Sequence, residues 1–461
     1  MLRCSARNHD MLTLDKNALT TLGAVCGAGL IIHFVARRVS TEAPLPTSPR
    51  SYPLIGHLLS MPRGNEHLEF MKLGERLNAK MVSLTVFGKT IVVLNSRDDA
   101  INLLQNKSGI YSDRICPPMV AEPSLVNSSE FISLLGYNDR WRKSRRLMHP
   151  WLHKQASQAF HESQQREARL LLQRLLSSAS QLDSSEVLFQ EFFRTLSSTL
   201  MHSIYGYHLQ DLDDPLLKEV LLMVDNLSRA SMPTRLEDFW VNVFPILRYV
   251  PEWFPGAAWK ITAREWRDQQ ARTVRDAFDW TKARITSGNR EPSIVASLLT
   301  EGEKLGLSDE ELDDYVSKIA ITLFVGGADT TANTFLAFVI AMMLYPNAQR
   351  KAQEEIDAVI GNSRLPVLED RPALPFTNAL IQEVLRWCPI VPIGVPHATT
   401  DDDLYQGFKI PKGTMVIGNI WGMSRDGRVY NNPEKFDPDR FLDPSVPTCP
   451  VFGFGRRCVC S

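Results

Sequence analysis

The sequence has almost no excess of charge: 51 Lys and Arg against 52 Asp and Glu leave a formal −1 at pH 7 over 461 residues. No global field draws it to a polyanion, so no nucleic-acid partner is expected. A disulfide framework is also missing. The seven cysteines are odd in number and scattered, which points to a reducing compartment. Cys449, Cys458 and Cys460 fall close together, but no histidine lies near them and CxxC spacing is absent, which disfavours zinc at that place. There is no internal repeat and no low-complexity linker, so solenoids and jointed arrays are excluded and one large domain is the economical reading. With 44% hydrophobic and 22% charged residues, disorder is excluded as well.

One local absence is informative. Residues 18 to 36, ALTTLGAVCGAGLIIHFVA, contain no Asp, Glu, Lys or Arg. As a helix this stretch is roughly 28 Å long, about the hydrocarbon thickness of a bilayer. It reads as a single transmembrane helix after a 1–17 tail, stopped at the cytoplasmic surface by Arg37 and Arg38. A cleaved signal peptide is the rival, disfavoured by the long polar lead and the lack of a clear small-x-small cleavage site. In this topology the body faces the cytosol, and the sequons at Asn106, Asn127 and Asn226 stay unglycosylated. Residues 37–53 follow as a hinge in which Pro44, Pro46, Pro49 and Pro53 enforce an extended tether.

Beyond the hinge, β-branched runs on both sides of Gly88-Lys89 predict a hairpin over Met81 to Ser96. Apolar residues then recur at three and four through Arg166–Leu176, Glu310–Leu344 and Leu374–Trp387, predicting helices. Pro389 to Met415 turns extended, with a strand pair expected around Gly407. The fold class is mainly α with a minor β portion. FWVNVFPILRYVPEWFPGAAWK, Phe239 to Lys260, is rich in aromatics and prolines and poor in charge. Two readings of it stand: a buried core segment, or one that dips into a membrane interface.

What the chain has in concentration is its terminal loop, VFGFGRRCVCS. Gly453 and Gly455 let backbone approach a ligand, Phe452 and Phe454 give flat apolar cover, Arg456 or Arg457 can pair with carboxylates, and cysteine offers a soft thiolate. Together these suit haem, a planar, acid-edged cofactor holding a soft metal, although a glycine-rich surface loop with a chance cysteine pair has the same letters. Three other places bear on the choice. In YNDRWRKSRR, Trp141 and Arg145 share a helix face and can reach one anionic edge. In IAITLFVGGADTTANT, Gly326-Gly327 interrupts an apolar helix ahead of Asp329, Thr330 and Thr331, so a kink or widened turn with a polar notch is expected, or else a close helix crossing. In QEVLRW, Glu383 and Arg386 lie one turn apart with Arg440 available as a further partner.

In this order, from the proline hinge through Tyr111-Ser112-Asp113-Arg114, Trp141-x-x-x-Arg145, Gly326-Gly327-Ala328-Asp329-Thr330, Glu383-x-x-Arg386, Pro438-Asp439-Arg440-Phe441 and Phe452 to Arg457, the sequence resembles the cytochrome P450 family of haem-thiolate monooxygenases. VFPILRYVPEWFPGA and LRWCPIVPIGVPHAT are similar to fungal microsomal members that oxidise secondary metabolites. The resemblance implies a P450 fold preceded by the transmembrane helix, with residues 54–461 as the haem monooxygenase domain. It implies haem b (iron protoporphyrin IX), electrons from NADPH through a reductase, a small lipophilic substrate, and single-pass anchoring in the endoplasmic reticulum membrane with the body cytosolic. Trp141, Arg145, Arg457 and His397 would hold the haem propionates, Phe452 and Gly455 would shape the cofactor loop, and Asp329 and Thr330 would relay protons. Glu383, Arg386 and Arg440 would be a structural triad. Substrate would lie against the Ile115–Ser129 loop, Phe324 and Val391–Val395, and Arg142, Lys143 and Arg146 would dock an acidic reductase. The family's ligand cysteine falls on Val459 here, with Cys458 and Cys460 flanking it as candidate iron ligands. The domain is therefore expected to lack its C-terminal end, truncated or altered after Arg457, and the alternative to an active enzyme is an impaired, membrane-anchored homologue that binds haem poorly.

Overall fold

Met81–Val86 (β1) and Lys89–Leu94 (β2) pair antiparallel across Phe87 and Gly88, which both take positive φ, +48° and +80°. That is the backbone a two-residue hairpin turn demands, so the predicted hairpin is present. The computed structural model describes residues 43–152, 156–177, 184–231, 239–288, 291–302 and 306–458. The expected tail, transmembrane helix 18–36 and hinge residues 37–42 lie outside these residues, as do Val459 and Cys460. Sheet order is β1-β2-β6-β3, where Met415–Gly418 (β6) runs parallel to β2 and antiparallel to His397–Ala398 (β3). Asp403–Tyr405 (β4) and Phe408–Ile410 (β5) pair about Gln406-Gly407, the strand pair expected there.

Two units divide the chain, a small one of 1–45 with 404–409 and a large one of 46–403 with 410–461. In the small unit, the Lys409 N–H donates to the Pro44 carbonyl at 2.8 Å. The large unit is mainly helical. Its principal helices are Asp139–Leu152 (α1), Ser185–Tyr205 (α2), Trp259–Thr286 (α3), Asp309–Leu344 (α4) and Pro375–Trp387 (α5). Ser308 and Glu311 start α4 with a reciprocal capping box, satisfying backbone donors that a helix start leaves open. α4 packs along α2, and Val316, Ile319, Ala320 and Phe324 join Phe192, Phe193, Met201 and Ile204 in the main core. By length and composition α4 could cross a membrane, but these contacts make it the core helix of the large unit.

The segment Phe239–Lys260 is not core. Phe239 and Val241 turn inward, while Trp240, Phe244, Ile246, Tyr249, Trp253 and Phe254 are exposed, Trp253 by 81%. Prolines at 245, 251 and 255 limit it to short 3₁₀ turns, which cannot hold one long apolar face inward. Asn242 pins it to the body, donating to the Ala230 carbonyl at 3.2 Å and accepting from the Met119 N–H at 2.9 Å.

Candidate haem site

α1 starts where the Asn138 side chain accepts a hydrogen bond from the Trp141 N–H at 2.9 Å. Trp141 is buried, and Arg145, one turn on, stands 6.0 Å from its ring centroid. Arg457 reaches the same ring at 4.6 Å from the opposite end of the sequence. What brings it there is the loop. Gly453 and Gly455 turn with φ of +87° and +55°, and a Cβ on Gly455 would stand 2.3 Å from the Leu104 carbonyl oxygen, in the π-helical turn Ile101–Asn106. Only glycine permits that approach. Phe454 is buried and Phe452 exposed. The Arg457 guanidinium then donates to the carbonyls of Ser112 at 2.8 Å and Leu135 at 2.7 Å, and Arg145 donates to the Cys458 carbonyl at 3.2 Å.

His397, on β3, is buried and donates from Nδ1 to the Tyr111 carbonyl at 2.7 Å. Burial first, then the Arg114 charge, push its pKa down to about 3, with Arg457 adding to the effect and the Tyr111 carbonyl opposing it. Arg114 belongs to this cluster. Its guanidinium donates to the Val395 carbonyl at 2.6 Å and the Pro396 carbonyl at 2.5 Å, while its Nε is buried without a partner among the described residues. Burial and then Arg457 lower the Arg114 pKa to about 9, and burial with Arg145 lowers Arg457 to about 10, with Asp113 the acid that offsets both. Cations this close and this dehydrated are short of negative charge. A planar group with two carboxylates fits the donor set, because it supplies an acceptor for Arg114 Nε and the missing countercharge. Haem meets that description.

Asp329 and Thr330 sit on a different element, α4, and no hydrogen bond or ion pair joins them to the cations. The Thr330 hydroxyl donates to the Gly326 carbonyl at 2.9 Å, and Asn333 donates to the Asp329 carboxylate at 3.2 Å. The expected kink or widened turn does not occur as a break: α4 is continuous α-helix from Asp309 to Leu344. One back-bonded hydroxyl per turn is accommodated without losing the helix. The two glycines differ in role. A Cβ on Gly327 would meet Leu200 of α2 at 3.0 Å, a close helix crossing, whereas one on Gly326 meets nothing within 4 Å. Gly326, Asp329, Thr330 and Asn333 share one helix face. Phe324, expected against substrate, is instead buried in the main core. It stands two residues from Gly326 and so roughly 200° round the helix.

Glu383, Arg386 and Arg440 are brought together. Glu383 accepts from Arg386 Nε and Nη2, both at 2.7 Å, and Arg440 Nε lies 3.2 Å from the same carboxylate. Arg386 also donates to the carbonyls of Ser424 and Pro433, each at 2.8 Å. Arg142, Lys143 and Arg146 are exposed on α1. Arg114 was missed as a site residue by sequence reasoning. Its signal was the Tyr111-Ser112-Asp113-Arg114 run, but its burial depends on carbonyls 281 and 282 residues away.

The chain matches the cytochrome P450 family profile over residues 46–459. It is 38% identical over 446 residues to cytochrome P450 monooxygenase 208 of Postia placenta, covering 95% of this chain and 84% of that protein. It is 33% identical over 446 residues to a cytochrome P450 monooxygenase of Armillaria gallica, covering 95% and 85%. Likeness to cytochrome P450 monooxygenase COX2 of Coprinopsis cinerea is 34% over 456 residues, covering 96% and 84%. With the motif order, the helical body and the buried cation cluster all in agreement, the chain belongs to the cytochrome P450 family of monooxygenases.

Proposed function

We propose that this protein inserts one oxygen atom of O2 into a small lipophilic substrate, the other atom leaving as water with two protons and two electrons from NADPH passed through a reductase. The observation that carries this reading is the pair of dehydrated cations Arg114 and Arg457, the latter sharing the Trp141 ring with Arg145 and both beside the buried, neutral His397, a donor set that suits the two propionates of haem b. Haem, when bound, supplies dioxygen activation through an iron held by a thiolate. Cys458 is the described candidate for that thiolate, anchored through its carbonyl to Arg145, and Cys460 is the second candidate.

The other side chains hold and deliver. Trp141 gives Arg145 and Arg457 a common apolar backing, which keeps both guanidiniums aimed at one edge. Thr330 has its hydroxyl proton on the Gly326 carbonyl, and Asp329 lies one residue away on the same face. The pair can pass protons one at a time. Exposed Arg142, Lys143 and Arg146 on α1 offer a basic face to an acidic reductase. The exposed aromatics between Trp240 and Phe254 support contact with a membrane interface, consistent with anchoring at the endoplasmic reticulum through residues 18–36. The resemblance of VFPILRYVPEWFPGA and LRWCPIVPIGVPHAT to fungal microsomal members that oxidise secondary metabolites supports a place in secondary metabolism.

The test is the carbon monoxide difference spectrum of the reduced, haem-loaded protein. A thiolate-type Soret band is expected, lost in Cys458→Ser or in Cys460→Ser according to which sulfur binds iron. A protein that stays colourless when supplied with hemin overturns the reading and leaves an impaired homologue.

A further inference from the structure

Three metal-ligating side chains meet at a place that no family motif marks. His202 stands in the last turn of α2, His208 follows Gly206, which closes that helix at φ +68°, and Glu291 precedes helix Ile294–Gly302. Glu291 Oε1 lies 3.3 Å from His202 Nε2 and 2.8 Å from His208 Nε2, and the three ligand atoms are all within 4.8 Å of one another. Two ligand atoms about 2.05 Å from a tetrahedral zinc ion are roughly 3.3 Å apart. Both histidine–glutamate edges therefore already have about that size, and the imidazole–imidazole edge is no longer than 4.8 Å.

Beside the cluster runs a groove of about 650 Å³ whose lining includes Trp151, Arg166, His202, Ser203 and Glu291. Within it Trp151 Nε1, His202 Nδ1 and Ser203 Oγ are buried without partners among the described residues. These atoms can bond waters, or an anion, held at an open coordination position. Arg166 on the groove wall opposes a cation, but its ion pair with Glu167 at 3.4 Å offsets part of that charge.

We propose that His202, His208 and Glu291 form a site for a divalent transition metal of the zinc class, with a remaining coordination position open to the groove. The ion would tie the end of α2 to a segment 83 residues beyond His208, adding a clasp to the direct packing of helix Ile294–Gly302 on α2. Nothing in this site depends on the haem reading.

The test uses the full-length, haem-loaded protein, treated with EDTA and then titrated with zinc chloride by calorimetry, with the thermal midpoint followed in parallel. One equivalent of zinc should bind and raise the midpoint. His208→Ala, at a largely exposed side chain, should leave the fold and the haem spectrum intact yet weaken zinc by more than about 100-fold, because loss of even outer-shell partners costs roughly 10–100-fold. Glu291→Gln should do the same. Absence of binding by the native chain, or equal affinity in His208→Ala, overturns the proposal.

Discussion

Arg386 and Glu383 form a two-point ion pair at 2.7 Å in which neither side chain reaches solvent. Each has given up its hydration, and the pair is viable because the remaining guanidinium hydrogens find the carbonyls of Ser424, Pro433 and Lys435, while Glu383 also accepts from the Asp437 N–H at 2.7 Å. Removing Glu383 leaves the fully buried Arg386 without a carboxylate, and removing Arg386 leaves Glu383 with only the longer contact to Arg440 and the Asp437 N–H. Glu383→Ala or Arg386→Ala should therefore cost about 3–5 kcal/mol of folding stability. Denaturant titration checks this, and a cost under about 1 kcal/mol would remove the pair from the list of structural determinants.

Gly453 and Gly455 make a controlled comparison within one loop. Both have positive φ, but a Cβ on Gly453 meets nothing within 4 Å, whereas one on Gly455 strikes the Leu104 carbonyl at 2.3 Å. Gly453→Ala should cost about 1–2 kcal/mol, the backbone penalty alone. Gly455→Ala should cost more and should speed haem loss, because relieving the clash moves the turn that carries Arg457 and Cys458. Equal stabilities and equal rates of haem transfer to apomyoglobin for the two variants would contradict the close approach.

How much of this was readable in advance depends on where each interaction reaches. The β1–β2 turn, the helix over 309–344 and the Glu383-Arg386 spacing are set by residues a few positions apart, and their chemistry shows in the letters. The parallel pairing of β2 with β6 joins residues more than three hundred positions apart, and no local pattern announces it. Arg114 was legible as part of a motif but not as a buried cation, since Val395 and Pro396 bury it. Phe324 lies two residues from Gly326 yet on the opposite side of the helix, in the main core, a separation set by helix geometry rather than by sequence proximity. The aromatic run after Phe239 left core and interface as equal readings, and the exposure of Trp240, Ile246, Tyr249 and Trp253 that counts against the core became visible only once the turns were seen.

His397 gives a pH signature. Its folded pKa, about 3, lies below the ordinary 6.5 because burial and Arg114 disfavour the charged ring. A base so lowered binds fewer protons folded than unfolded between those values, so stability falls as pH drops from about 6.5 toward 3. At pH 5 the loss relative to neutral pH should be about 2 kcal/mol in the haem-free chain. Propionates beside the ring would raise its folded pKa and flatten the slope. Comparing urea unfolding of haem-free and haem-loaded protein between pH 7.5 and 5 checks this, and His397→Gln should flatten the haem-free slope. Parallel slopes for the two forms would remove the propionates from His397.

Trp253 provides the sharpest test of membrane contact, because it is 81% exposed among Trp240, Phe244, Ile246, Tyr249 and Phe254. An aqueous surface gains nothing from such a patch, whereas indole and phenol rings are favoured at the headgroup level of a bilayer. The full-length chain reconstituted into bilayers should therefore place Trp253 within reach of the acyl chains, while Trp141, buried in α1, stays remote. With lipids brominated near the headgroups, Trp253→Phe should remove the most strongly quenched component of the tryptophan emission. Trp141→Phe should leave that component in place. Replacing Ile246 and Trp253 together by serine should weaken contact of the body with the bilayer, seen as faster proteolysis of the 240–255 segment in membranes. Quenching unchanged by Trp253→Phe would mean that this face meets water or another protein instead.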